Sequence, residues 1–305
     1  MYLIKKQVNV LESGVAKTKN KLKLIDAPVY HYWEALYMSF YSRRLYVDVG
    51  KRWSGLGLIY LLLAITILSI PFAIRMGISF NQSYNEQIVE PLLQVPTVYV
   101  QNGEVSFDKP MPYLIKNKKD QVVLIIDTTG KVNSYTKEYP YLSILINKNM
   151  ISFKIPTPQI FNAVTEEPNP SVPLSQTFKK GDNFVFDGNK IVEENSISGF
   201  KYASQAMIYP IVISILYSIF VVLFLVLAFL GQVFASIFFS FKISFMQSSR
   251  LFLVATTPML FALITMLTLN SIFPGFGFIL IAIMAVYFSF ALYSFRAESR
   301  QVVLK

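Results

Sequence analysis

Residues 55–74 read GLGLIYLLLAITILSIPFAI, twenty consecutive positions without a charged side chain. At the helical rise these positions cover about 30 Å, the thickness of one hydrocarbon core. The stretch follows a segment with ten Lys and Arg, whereas a cleavable leader begins close to residue 1, so 54–75 reads as an uncleaved signal anchor and first transmembrane helix. Working outward, residues 206–241 are uncharged throughout, about 54 Å if helical and too long for one crossing. A break is expected at Gly231-Gln232, leaving 206–230 as a span and 233–241 as a bent or interfacial continuation before Lys242. Residues 251–272 and 276–295 are two further uncharged runs, joined by Phe273-Pro274-Gly275 in a turn short enough to force a helical hairpin. The expected fold is a membrane protein, an α-helical bundle of four transmembrane helices, three of them within 206–295.

Composition points the same way: 53% of the 305 residues are hydrophobic and 15% charged, against roughly 25% charged in a soluble domain. The net charge of +10 is unevenly placed. Residues 1–53 hold ten basic and four acidic side chains, the loop near 242–250 holds Lys242 and Arg250 without an acid, and the tail 296–305 has Arg296, Arg300 and Lys305 against Glu298. Residues 76–205, with twelve Lys and thirteen acids, are close to neutral. The positive-inside rule therefore predicts a multi-pass protein of the bacterial cytoplasmic (inner) membrane with both termini cytoplasmic and 76–205 extracytoplasmic. The basic excess is an orientation signal, and no nucleic-acid partner is expected. Lysines 17, 19, 21 and 23 are spaced like a polybasic arm facing the anionic headgroups of the cytoplasmic leaflet.

The segment 76–205 has a different texture. Short runs at 97–100, 121–126, 142–146, 150–155 and 183–186 are bounded by Gly, Pro, Asn and Asp, the pattern of strands. Asn102-Gly103, Asn147-Lys148-Asn149 and Asp187-Gly188-Asn189 are turn candidates. A mostly antiparallel β domain is expected, with 165–176, TEEPNPSVPLSQ, as a loop and 78–95 as a helix leading in from the first span. Before that span, from Tyr30 to Tyr46, a single amphipathic helix is expected: Trp33, Leu36, Tyr37, Phe40 and Tyr41 recur at helical spacing, with Glu34, Arg43 and Arg44 elsewhere around the helix. Such a face either lies along the cytoplasmic leaflet or packs on the protein's own spans. Aromatic enrichment favours the first, and Trp33, Tyr37, Phe40, Tyr41, Arg43 and Arg44 are the expected membrane-interface residues.

Chemistry is constrained by absences. There is no Cys and a single His, so disulfides, thiolate sites and a multi-His zinc site are excluded, and a Ser-His-Asp triad would need His31. His31 reads as a first-turn or headgroup-facing residue, and no metal or cofactor is expected. Val122 to Gly130, VVLIIDTTG, is similar to the strand and turn of aspartic proteases. Those enzymes need a second carboxylate, and an extra Thr here separates Gly130 from the Asp-Thr pair, so Asp127 reads as the start of a turn that Gly130 closes. No charge interrupts the spans, which removes the usual proton relay. Ser214 and Ser218 suit close helix contact, and Pro258 after Thr256-Thr257 should kink its helix. Gly231, Gln232, Thr256, Thr257 and Pro258 are thus the candidate kink or groove residues.

The run from Tyr32, YWEALYMSFYSRRLYVDVGKRWSGLGLIYLLL, the stretch QNGEVSFDKPMPYLIKN followed by VVLIIDTTGKVNSY, and the late KISFMQSSRLFLVATTP resemble a bacterial multispan membrane-protein family of unknown function that includes maltodextrin-utilisation accessory proteins. The resemblance covers about residues 30–295, and IIDTTGK at 125–131 is its most specific piece. The segment around Lys242, Arg250 and Pro258 is similar to Yip-type membrane proteins, which act in membrane organisation and trafficking. Neither likeness implies catalytic residues. The leading expectation is a non-enzymatic protein whose extracytoplasmic β domain binds a protein, envelope polymer or solute while the helices anchor or transmit. The alternative is a transporter or lipid-handling protein for a neutral or apolar substrate. A membrane hydrolase ranks last, since no base and nucleophile pair stands out. Convergence of Ser214, Thr256, Thr257 and Asn270 on one cavity would favour transport, and separate helix contacts would favour anchoring. The oligomeric state stays open.

Overall fold

A computed structural model describes residues 27–155, 172–193 and 196–303. The polybasic arm and the first part of the proline-rich loop lie outside the described residues. Helices α1 (Tyr32–Met38) and α2 (Arg43–Lys51) replace the single amphipathic helix expected over 30–46. The chain turns between them because Ser42 caps α2, its Oγ accepting the Leu45 N–H at 3.3 Å, while the Tyr46 hydroxyl donates to the Ser39 carbonyl at 2.5 Å. Next come α3 (Leu58–Leu68) and α4 (Ile70–Tyr84), bent by 47° at Ser69. Pro71 has no N–H with which to continue α3, and it opens a new helix instead. The expected single helix over 54–75 is therefore broken, and its second half runs on through a π-helical turn (Asn85–Val89) into α5 (Glu90–Leu93). That continuation supplies the helix expected over 78–95.

Among the described residues eight strands follow: β1 (Val98–Gln101), β2 (Glu104–Ser106), β3 (Tyr113–Lys116), β4 (Val122–Asp127), β5 (Ile144–Asn147), β6 (Met150–Phe153), β7 (Leu174–Thr177) and β8 (Phe184–Phe186). They form a three-stranded sheet ordered β2-β1-β8 and a five-stranded sheet ordered β3-β4-β5-β6-β7. All described pairs are antiparallel except β4 and β5. A parallel pair needs a crossover, and residues 128–143 provide it, laying Val132 and Leu142 over Ile125 and Leu145 on one sheet face. On the other face Leu124, Ile126, Ile144 and Ile146 meet Tyr84, Ile88 and Leu92. Burial on both faces explains why β4 reads as a continuous apolar run. Asn102 and Gly103 make the expected β1–β2 turn with φ of 51° and 78°, a pair that favours type I′. Asp187-Gly188-Asn189 instead opens α6 (Gly188–Glu193), with Asp187 Oδ1 accepting the Asn189 N–H at 3.0 Å. A Cβ on Gly188 would lie 1.8 Å from the Leu92 carbonyl oxygen, so glycine serves close approach there.

The remaining helices are α7 (Ser196–Phe239), α8 (Phe245–Ala255), α9 (Thr257–Leu269) and α10 (Phe276–Val303). The break expected at Gly231-Gln232 does not occur: α7 is continuous for 44 residues and ends at Ser240, where φ is +47°. One glycine costs a helix only about 1 kcal/mol, and an apolar environment offers a freed carbonyl no other donor. Gly231 serves packing, since a Cβ there would meet Phe288 Cζ at 2.7 Å, and Gln232 Nε2 donates to the Ile243 carbonyl at 2.9 Å. The loop expected near 242–250 is also shorter than its charges suggest. Ser244 caps α8 in a reciprocal pair with Gln247, so Arg250 lies inside the helix, buried, donating to the carbonyls of Trp53 and Gly50. Among the described residues three helices are long and apolar enough to cross a membrane, α7, the α8–α9 pair and α10, and the bent pair α3–α4 makes up to four.

Candidate functional site

Helix α4 belongs to two cores at once. Phe72 and Met76 pack with Ile264 and Leu267 of α9, while Phe80 and Tyr84, continued by Ile88 and Leu92, enter the β-domain core. On the exposed side a stripe of Ile70, Ile74 and Ile78 gives way at the same four-residue spacing to Gln82 and Glu86. The helix thus changes from an apolar to a polar surface within one turn. Arg75 Nη1 donates to the carbonyls of Leu267 and Thr268 at 2.5 and 3.1 Å, at the negative end of α9. Lys201 Nζ reaches Asn85 Oδ1 at 3.0 Å, and the Tyr84 hydroxyl donates to the Ile197 carbonyl at 3.2 Å, tying the start of α7 to the same neck.

Two clefts open along this neck. One of about 360 Å³ is lined by Arg75, Ile78, Ser79, Gln82, Ser83, Glu86 and Lys119. The other, of about 250 Å³, shares Ser83, Glu86 and Lys119 and adds Gln87, Asn117, Gln121 and Tyr141. Lys119 Nζ sits 2.8 Å from Glu86 Oε2, and Lys118 Nζ sits 2.6 Å from Glu90 Oε1. These residues come from α4, the π-helical turn, the start of α5, the β3–β4 loop and, for Tyr141, the β4–β5 crossover, so sequence reasoning did not assemble them. The signal that could have done so is the switch from Ile to Gln and Glu along one helix face, beside an arginine at the end of an apolar run.

The IIDTTGK block forms the expected turn. Asp127 Oδ1 accepts the Thr129 N–H at 2.8 Å and its hydroxyl at 2.6 Å, and Oδ2 accepts the Val132 N–H at 2.5 Å. Burial pushes this carboxyl upward, but the Thr129 hydroxyl and the N–H groups of Val132, Thr129 and Lys131 outweigh it, so the carboxyl lies below its ordinary value. Both oxygens are committed to the turn, which leaves them unsuited to general acid-base work. A cleft of about 360 Å³ lies beside the turn, lined by Thr129, Gly130, Asn133, Asn147, Lys148 and Asn149 among others. Asn147 is 8% exposed and its Oδ1 has no hydrogen-bond partner. No cluster of three or more His, Cys, Asp or Glu suited to a metal occurs among the described residues.

Trp33, Tyr37, Phe40, Tyr41, Arg43 and Arg44 are exposed along the α1–α2 hairpin. The other side of the hairpin, with Ala35, Leu45, Tyr46 and Val49, is buried in the bundle core. Helix α2 runs beside α10, with Arg43 over the Phe290 ring at 5.9 Å and Lys51 Nζ 4.0 Å from Glu298, while Phe40 contacts Phe261 and Tyr287. Packing on the protein's own helices is thus seen on one side of this segment, while its aromatic and arginine side chains stay exposed on the other. His31 precedes α1, its N–H donating to Glu34 Oε2 at 2.7 Å.

The candidate groove residues do not converge. Gly231 and Gln232 make the contacts given above. The Thr256 hydroxyl donates to the Leu253 carbonyl at 3.0 Å, and Thr257 shares a 2.7 Å bond with the Tyr60 hydroxyl. Pro258 stands in the first turn of α9, where a missing N–H costs little, so α8 and α9 still run as one candidate span. Comparison with curated proteins and with solved structures finds no match. A comparison with protein families matches residues 33–292 to the family described as protein of unknown function (DUF1189), and over that length the chain belongs to this family.

Proposed function

We propose that the chain is a non-enzymatic integral protein of the bacterial cytoplasmic membrane, crossing four times, with both termini cytoplasmic and the β domain outside, where it binds a partner. The observation that carries the reading is the disposition of polar groups in the apolar helices. Thr256 and Thr257 are spent on separate contacts, Ser218 donates to the Ser214 carbonyl at 2.7 Å on an exposed face, and Asn270 closes α9 with φ at +54°. Only the Thr257 bond joins two helices; Thr256 and Ser218 bond within their own helix segments and Asn270 ends one, and among the described residues no cleft gathers the four. The β domain is seated on the bundle through α4, as an anchored binding module requires. The cleft beside the Asp127 turn, with its unpaired Asn147 oxygen, is the surface we assign to the partner. The maltodextrin and Yip-type likenesses have no named relative behind them and add nothing to this reading.

A photoreactive side chain in place of Lys148, at the rim of that cleft, should crosslink the same protein, polymer or solute in repeated experiments on intact cells. No reproducible adduct would refute the binding role. The alternative of lipid handling draws on the α1–α2 hairpin, whose exposed Trp33, Tyr37, Tyr41 and Arg44 suit contact with lipid. Reconstituted protein should then move lipid or a neutral solute faster than empty vesicles allow.

A further inference from the structure

The neck cleft along α4 is built for an amphiphile with an anionic head. Its floor runs from Arg75 to Glu86, about 16 Å at the helical rise. The apolar stripe Ile70, Ile74 and Ile78 leads into it from one side, and all three side chains are exposed. At its polar end stand the hydroxyls of Ser79 and Ser83 and the Lys119 ammonium. Arg75 has no carboxylate within ion-pair distance among the described residues, and its one assigned donor atom, Nη1, faces carbonyl oxygens. The cleft therefore presents two cations and two hydroxyls against one carboxylate, Glu86, which pairs with Lys119. The groove also lies on the element that switches from apolar to polar surface, where a bilayer's headgroups begin. A π-helical turn forms its upper end, and such turns recur at functional sites.

We propose that this cleft binds the phosphate headgroup of an anionic phospholipid in the outer leaflet, with the acyl chains lying along Ile74 and Ile78. Lys119 at the polar end would hold the phosphate with the hydroxyls of Ser83 and Ser79, Arg75 at the other end of the floor would meet the ester oxygens nearer the acyl chains, and the occupied cleft would fix the β domain to the membrane surface. The proposal rests on the membrane placement above and on no partner of the β domain.

The test is native mass spectrometry of the detergent-solubilised full chain. Phosphatidylglycerol, phosphatidylcholine of the same acyl chains, and soluble glycerol phosphate are titrated separately and then in competition. A cation near an anionic headgroup contributes about 1 kcal/mol, roughly fivefold. Wild type should retain phosphatidylglycerol over phosphatidylcholine by roughly that factor or more. Arg75→Gln and Lys119→Gln should each lower retention by about fivefold. Because Arg75 also holds two helix carbonyls, its variant alone could lose retention by misfolding; Lys119 is exposed, and Lys119→Gln removes that ambiguity. Glu86→Gln removes the competing carboxylate and should raise retention, a gain that damage to the fold does not produce. Equal retention of both lipids, retention unchanged in the three variants, or displacement by an equal concentration of glycerol phosphate would each overturn the lipid assignment. Failure to crosslink a β-domain partner would leave this measurement untouched, so the two readings fail separately.

Discussion

Replacing Asp127 by Asn tests whether the IIDTTGK block at 125–131 works as a structural turn. The carboxylate is 1% exposed and its oxygens hold the Thr129 N–H, the Thr129 hydroxyl and the Val132 N–H. An asparagine can keep its oxygen toward Thr129, but it then turns its NH₂ toward the Val132 N–H. The loss is one charge-assisted bond, worth about 1.5–3 kcal/mol, together with an unpaired buried donor that costs about 1–3 kcal/mol more. A destabilisation of about 2.5–6 kcal/mol results, or roughly two to four orders of magnitude in an opening equilibrium. Both tryptophans lie at 33 and 53, so their fluorescence follows the bundle and serves as an internal control. The readout for the β domain is amide hydrogen exchange in peptides covering β4 and β5, which should exchange at least a hundredfold faster. Asp127 titrates below its ordinary value of 3.8. Its stabilisation is therefore fully present above that value and is lost as pH falls through the depressed one, a dependence the Asn variant should lack. Exchange in β4 and β5 within about threefold of wild type, the scale of an ordinary surface change, would refute the reasoning.

Gly231→Ala separates a hinge from a packing site. The added methyl meets Phe288 at 2.7 Å and Ser248 Oγ at 3.3 Å, so thermal unfolding followed by tryptophan fluorescence should show a loss of about 1–3 kcal/mol, whereas a helix break healed by alanine would show a gain. Arg250→Met keeps the buried stem but leaves the carbonyls of Gly50 and Trp53 without their charged donor; a loss of roughly 3 kcal/mol or more is expected, with partial recovery in Arg250→Lys. Single cysteines placed at Arg44 and Lys119 in this cysteine-free chain should label from opposite sides of the membrane, and labelling from one side would overturn the proposed orientation.

How much of this was legible in the sequence depended on whether the relevant partners were local. The turn at Asp127 was readable because its donors lie within five residues. The strands β1, β4, β5, β6 and β8 showed as short apolar runs between turn residues. Strand β7, LSQT, is exposed at every position and carries no such run; it is held by its ladder to β6 and by the 2.7 Å contact of Ser152 with Ser175. Arg250 looked like a loop charge because an ionic residue at the edge of an apolar run is normally solvated. Its partners lie about 200 positions away at the end of α2, beyond the reach of any window. Gly231 failed for another reason: the breaking tendency of glycine is measured in water, where a released carbonyl finds a donor, and apolar surroundings remove that option.

The π-helical turn shows how the neck couples the two cores, and it invites a last perturbation. Phe80, Tyr84, Ile88 and Leu92 all face the β-domain core, at intervals of four residues. At about 100° per residue, each such interval advances 40° around an α-helix, so three of them would carry Leu92 about 120° from Phe80. A wider turn between Asn85 and Val89 sets part of that drift back, which keeps the stripe on one face long enough to enter the domain. Removing one residue from the turn restores α-helical winding, and the eleven steps then left between Phe80 and Leu92 end only about 20° past three full turns. The stripe stays on one face, so hydrogen exchange in β1, β4 and β5 should remain near wild type. Adding one alanine after Asn81, in the α-helical part of α4, instead rotates the helix beyond it by about 100°; Tyr84, Ile88 and Leu92 should then leave the core, and exchange should rise in β1, β4 and β5 while the peptides of α8, α9 and α10 keep their protection. Unchanged exchange in the strands after the insertion would mean that the β domain holds its position without the neck, and that α4 does not couple it to the bundle.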